Sequence, residues 1–143
     1  MHDPDVVRWI GPARASAAAQ LAENEARWAD GSPTLSICDA DDACVGLVWL
    51  NLLPSDPTIG YVGYWLLPAA RGRGLATRSV RLLSSWAVRE LGLTTVRLTT
   101  APDNERSQRV AQRSGFTRLG IAGPEAAVAR EIGQVVFERT DHD

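Results

Sequence analysis

The most restrictive feature of the chain is a glycine-rich turn, Arg71-Gly72-Arg73-Gly74, between a β-prone run and an amphipathic segment. Before it, Ile59 to Leu67 reads Ile-Gly-Tyr-Val-Gly-Tyr-Trp-Leu-Leu and is closed by Pro68. After it, Leu75/Ala76, Ser79/Val80, Leu82/Leu83, Trp86/Ala87 and Glu90/Leu91 recur at helical spacing until Gly92. Glycines reach positive φ, so successive backbone N–H groups can face one concavity. The helix start adds unpaired amides and partial positive charge at the same point. Arg71 and Arg73 bring two full charges, and Thr77 adds a hydroxyl in the first turn. This local chemistry suits a pyrophosphate or a similar anion. A P-loop is excluded, because no Gly-Lys-Ser/Thr follows and the chain contains no lysine. A dinucleotide fold is disfavoured by the incomplete three-glycine pattern and the absence of a suitably spaced acid on the next strand.

The rest of the chain reads as one domain over residues 1–143, without repeats or low-complexity linkers. Asp5–Ile10 and Ala13–Ala29 are predicted helices, the second stopped by Asp30-Gly31-Ser32-Pro33. Thr34–Cys38 and Ala43–Leu53 are predicted strands joined at Asp39-Ala40-Asp41-Asp42, and Pro54-Ser55-Asp56-Pro57 is a loop. Thr94–Thr100 alternates as a strand, Glu105–Arg113 reads as a helix, Gly115-Phe116 opens a strand, and Ile132–Arg139 forms the last one. The order implies an α+β (or three-layer α/β) domain with a mixed sheet.

The net charge of −2 conceals an asymmetry. Residues 1–60 hold three arginines against nine acids, whereas residues 71–113 hold nine arginines against three acids. A basic middle within an acidic chain suits a small polyanion better than nucleic acid, and a solvated arginine-rich helix face is the equal alternative. The only histidines are His2 and His142, so no metal site is expected. No apolar run approaches the roughly 18 residues that span a bilayer. With no secretion signal at Met1–Asp5, a cytoplasmic protein with no membrane partner is expected.

The motifs together resemble the GNAT superfamily of N-acetyltransferases. Arg71-Gly72-Arg73-Gly74-Leu75-Ala76 is similar to that family's Gln/Arg-x-x-Gly-x-Gly/Ala motif. Gly63-Tyr64-Trp65-Leu66-Leu67-Pro68, Asn104-Glu105-Arg106-Ser107 and Arg113-Ser114-Gly115-Phe116 resemble the branch that acetylates ribosomal-protein N-termini. The resemblance implies a mostly antiparallel sheet, splayed at a bulge and flanked by helices, that binds acetyl-CoA as cosubstrate. It implies cofactor contacts from Leu66, Leu67, Arg71, Gly72, Arg73, Gly74, Leu75, Ala76 and Thr77, with Asn104 on the pantetheine arm or serving as a helix cap. The Leu66 amide is the implied oxyanion donor. Ser107 stands where this branch has its general acid, and the alternative is an ordinary helix-surface serine.

Two departures accompany the resemblance. Where the branch often has a glutamate base, this chain has Tyr61, which either orients a water or is a structural strand residue, with Asp56 as an outside candidate. The tyrosine common seven residues after the asparagine is replaced by Ala111. The chain also starts at what resembles the region after the family's first strand, which implies an exposed sheet edge and a possible homodimer covering it. The acceptor is expected to be an amine, either a peptide N-terminus or a small molecule. Trp28, Trp49 and Trp65 are candidates for its pocket or for the core. The competing function is a CoA-binding module of the same fold without transferase activity.

Overall fold

The computed structural model describes residue 26 and residues 28–140. The predicted helices at 5–10 and 13–29 lie outside the described residues, apart from helical Ala26, Trp28 and Ala29. The question of a first strand lies outside them as well.

Among the described residues, six strands form one sheet in the order β1-β2-β3-β4-β6-β5. Strands β1 (Thr34–Cys38), β2 (Cys44–Leu53) and β3 (Asp56–Leu66) form an antiparallel meander. The first hairpin closes because Asp39 Oδ1 accepts from the N–H groups of Asp41 and Ala43, at 2.9 and 3.0 Å. The second turn is tighter than the sequence suggested. β3 begins at Asp56, where Oδ1 accepts from both the N–H and the hydroxyl of Thr58. Pro57 is tolerated there because it stands at the start of the strand, before the ladder needs its missing donor.

Helix α1 (Leu75–Leu91) connects β3 to β4 (Thr95–Thr100), and these two strands are the one parallel pair among the described strands. A parallel pair needs a crossover of this kind. The apolar stripe of α1 buries Ala76, Val80, Leu83 and Ala87 against the sheet, and Gly92 ends the helix at φ 69°. Helix α2 (Glu105–Arg113) follows β4, and then come β5 (Thr117–Ile121) and β6 (Val135–Thr140), which enters between β4 and β5. The predicted start of β6 at Ile132 is corrected to Val135. Ile132 belongs to the connecting segment and is 44% exposed. Leu50, Val80, Val96 and Phe137 have no exposed surface and define the centre of the core.

One close approach in the meander bears on the site. Trp49 lies directly across from Gly63, and a Cβ at Gly63 would come within 2.5 Å of the indole. We predict that Gly63→Ala lowers stability by about 1–3 kcal/mol through overpacking. Denaturant unfolding would report this as a lower midpoint with an unchanged slope. A wild-type midpoint would mean that the indole swings aside freely.

Candidate functional site

The site begins where pairing ends. β3 and β4 are joined at only three residue pairs, Ile59↔Thr95, Gly60↔Val96 and Tyr61↔Arg97. Beyond Tyr61, β3 stays on β2 as far as Leu66↔Gly46, so it is held on one side and open on the other. The gap is a cavity of about 770 Å³. Tyr61 to Leu66 form one wall, and Leu98, Thr99, Asn104, Ser107 and Val110 form the opposite one. Arg71, Gly72 and Gly74 to Thr77 line its mouth, while Trp49, Asn51 and Arg130 stand beside Tyr61.

The mouth is formed by the glycine turn and the first turn of α1. Gly72 and Gly74 have φ of 81° and 75°, and a Cβ added at either would meet nothing within 4 Å. Backbone angle, not crowding, therefore selects glycine here. Gly74 is the N-cap and supplies no side-chain cap, and the first turn of α1 contains no acidic residue. The first intrahelical bond runs from the Arg78 N–H to Gly74 O at 3.0 Å. The amides of Leu75, Ala76 and Thr77 precede it and have no partner within the helix. Arg71 folds back to donate to Leu66 O at 3.0 Å, tying the turn to the end of β3.

Two of the residues named from the sequence do not line the cavity. Leu67 donates its N–H to Val45 O at 2.8 Å and does not line the cavity, because β2 holds that amide. Arg73 is exposed, donates to Ala69 O at 3.2 Å and is not among the lining residues. Asn104 takes its expected place as a helix cap and also borders the cavity. It caps α2 by accepting from the Ser107 N–H at 3.2 Å, and it lines the cavity. Trp49 and Trp65 line the cavity, whereas Trp28 is 47% exposed and donates to Thr34 O. Asp56 is absorbed in its turn, where its bonds from Thr58 hold the carboxyl below the usual range.

Ser107 and Tyr61 both line the cavity, with different partners. The Tyr64 hydroxyl donates to Ser107 Oγ at 3.2 Å. Burial pushes the Tyr64 phenol up, against the opposing pull of the Ser107 bond and of Arg106 and Arg71. Tyr61 is 2% exposed and donates its proton to Glu131 Oε1 at 2.6 Å. A phenol has one proton, so Tyr61 offers the cavity only acceptor lone pairs. Glu131 Oε1 also accepts from Arg97 at 2.6 Å, and Arg97 reaches Glu138 at 3.0 Å. Arg130 covers the Tyr61 ring, its guanidinium 4.4 Å from the centroid. The Tyr61 phenol is raised first by burial and next by its bond to Glu131. Glu131 and Arg130 lie seventy and sixty-nine positions from Tyr61 in a segment without motif or periodicity, so no sequence signal marks them.

The comparisons with known proteins decide the family. The acetyltransferase (GNAT) domain model matches residues 1–117. The chain belongs to the GNAT acetyltransferase family. This GNAT chain is 34% identical over 84 residues to the "Probable N-acetyltransferase YjcK" of Bacillus subtilis (strain 168), covering 58% of this chain and 46% of the relative. The chain thus spans under half the length of that relative. In fold it is similar to ribosomal-protein-S5-alanine acetyltransferase from Vibrio fischeri, with a TM-score of 0.76, 19% identity, and 97% of this chain and 81% of that one covered. It is also similar to the ribosomal L7/L12 α-N-protein acetyltransferase RimL, solved with coenzyme A, with a TM-score of 0.70, 21% identity, and coverage of 85% and 70%. The sheet of the described residues, six-stranded, mostly antiparallel, open and flanked by helices, matches these acetyltransferase structures in fold. The GNAT match contains the turn, Asn104 and Ser107, but ends before Arg130 and Glu131.

The two raised phenols give a pH prediction. A phenol that is harder to ionise folded than unfolded adds stability that is present below about pH 10 and lost as pH rises through the folded value. The chain has two tyrosines, Tyr61 and Tyr64, and no lysine that would titrate in the same range. The melting temperature is expected to fall more steeply above pH 10 in the wild type than in a Tyr61→Phe/Tyr64→Phe double variant. Parallel curves would show that the two phenols ionise alike in both states.

Proposed function

We propose that this chain transfers an acetyl group from acetyl-CoA to a primary amine, with a protein or peptide α-amine as the best acceptor. The observation that carries the reading is the uncapped, glycine-led start of α1 opening into a cavity where β3 and β4 separate. Acetyl-CoA supplies an activated acyl group as a thioester. The amides of Leu75 to Thr77, with Arg71, would hold the pyrophosphate by charge-assisted bonds at a helix start. The open side of β3 and Asn104 would hold the pantetheine arm.

Proton chemistry favours the α-amine. The Tyr61 proton is engaged by Glu131, and Ala111 is fully buried at the position where the family commonly has a tyrosine. A site with so little acid–base equipment does best on an amine that is already partly neutral. With pKa values of about 8 and 10.4, the neutral fraction at pH 7 is roughly 200-fold larger for an α-amine than for a lysine-type amine. The same reduction in acid–base groups supports a second reading, a CoA-binding module with little turnover. A cytoplasmic setting, with its acetyl-CoA and nascent N-termini, fits both readings.

Melting with and without acetyl-CoA tests the first step. Saturation at a hundred times Kd stabilises by about 2.7 kcal/mol, a rise of roughly 5–10 °C for a domain of this size. Gly74→Trp is expected to abolish the rise, because the open space above the turn is where the phosphates would sit. Turnover measured on an α-amine peptide and on an alkylamine then separates the readings. Binding without turnover of either would establish the module, and no binding would remove both.

A further inference from the structure

We infer that Tyr64 is a positioning residue that aims the Ser107 proton into the cavity, so that Ser107 donates to the departing sulfur. The inference rests on the acetyl-transfer reading and adds to it a residue from a different element, β3, with an assigned role.

The geometry carries the inference. A serine hydroxyl has one proton and two acceptor lone pairs. Tyr64 donates to Ser107 Oγ at 3.2 Å and so occupies one lone pair, which leaves the serine proton to be given elsewhere. Serines in helices often return that proton to a carbonyl one turn back. Among the described residues, the Ser107 hydroxyl makes no such bond, and its recorded side-chain partner is Tyr64. Both residues line the cavity, from opposite walls. The Ser107 backbone is fixed as well, since its N–H donates to the Asn104 cap. The hydroxyl is therefore held from two directions, and its remaining proton is left for a group bound in the cavity.

Relative acidities decide what this arrangement does. In the transfer, the amine nitrogen bonds to the acetyl carbon, the C–S bond breaks and its electron pair leaves on sulfur. The amine proton goes to water. A thiol has a pKa of about 8.5, below the ordinary phenol value of about 10. Burial raises Tyr64 further, with Arg71 and Arg106 opposing. Complete transfer of the tyrosine proton to the thiolate therefore runs uphill. Tyr64 instead stays protonated and polarises Ser107, and Ser107 stabilises the thiolate by a hydrogen bond until solvent protonates it on release. Linked hydroxyls strengthen one another in this sense.

The test reads the sulfur without needing an acceptor amine. CoA bound to the protein is titrated by thiolate ultraviolet absorbance, with bound desulfo-CoA as the blank. In the wild type the bound thiol is expected to ionise about one unit below the free thiol, a tenfold stabilisation of the thiolate. Tyr64→Phe keeps the ring and is expected to raise that value by roughly half a unit or more. Ser107→Ala is expected to raise it at least as far, and adding Tyr64→Phe to Ser107→Ala should change nothing further. Melting temperatures within a few degrees of wild type confirm that the variants fold. Binding of CoA with identical titrations in wild type and Tyr64→Phe overturns the inference alone. Additive effects of the two substitutions overturn it too, since Tyr64 would then not act through Ser107. Failure of the wild type to bind CoA overturns the acetyl-transfer reading and the inference with it.

Discussion

The last rung of the parallel ladder sets Tyr61 opposite Arg97, and both side chains reach the same carboxylate oxygen of Glu131. That buried junction is where the sheet stops being a sheet. On one side of it β3 and β4 pair, and on the other they diverge around the cavity. Removing one partner from a buried, hydrogen-bonded charge typically costs about 3–5 kcal/mol. The junction therefore pins the point of opening, and it pins the 122–134 connection as well, which places Arg130 over the Tyr61 ring. Tyr61, at the position where the branch often has a glutamate, is thus tied into the inner end of the cavity by its bond to Glu131.

A second constraint operates at the cavity mouth. Helices usually begin with a polar cap and acidic residues in the first turn, which neutralise the free amides. Helix α1 has neither: Gly74 caps it, and its first turn contains no acid. α2 shows the ordinary arrangement, with Asn104 as cap and Glu105 in the first turn. Two helix starts meet the same cavity, one capped by the Asn104 side chain and the other without a side-chain cap.

The regular elements were legible because local signals agreed with one another. The apolar stripe and Gly92 define α1 to the residue, and the Asn cap and polar run define α2. Boundaries were misplaced where proline or isolated apolar residues misled. Pro57 suggested a loop where the strand had already begun, and Ile132 suggested a strand where only an isolated bridge to Ala122 forms. The mouth of the site was legible for the same reason as α1, since a Gly-x-Gly before a helix is a contiguous pattern. Leu67 and Arg73 lie off the cavity lining because neighbours in sequence on a strand or turn face opposite ways.

By itself the sequence determined the strand–glycine turn–helix unit, the order of elements over the described residues, and the positive-φ glycines that leave the start of α1 open. These depend on spacing and backbone freedom within a few residues. Only the tertiary structure decided what the side chains at the centre of the site do. Tyr61 is committed to Glu131 across seventy positions, and Tyr64 reaches Ser107 across forty-three. A hydroxyl's role depends on which partner takes or supplies its single proton, and that partner is chosen by packing between distant segments, where local sequence carries no record of it.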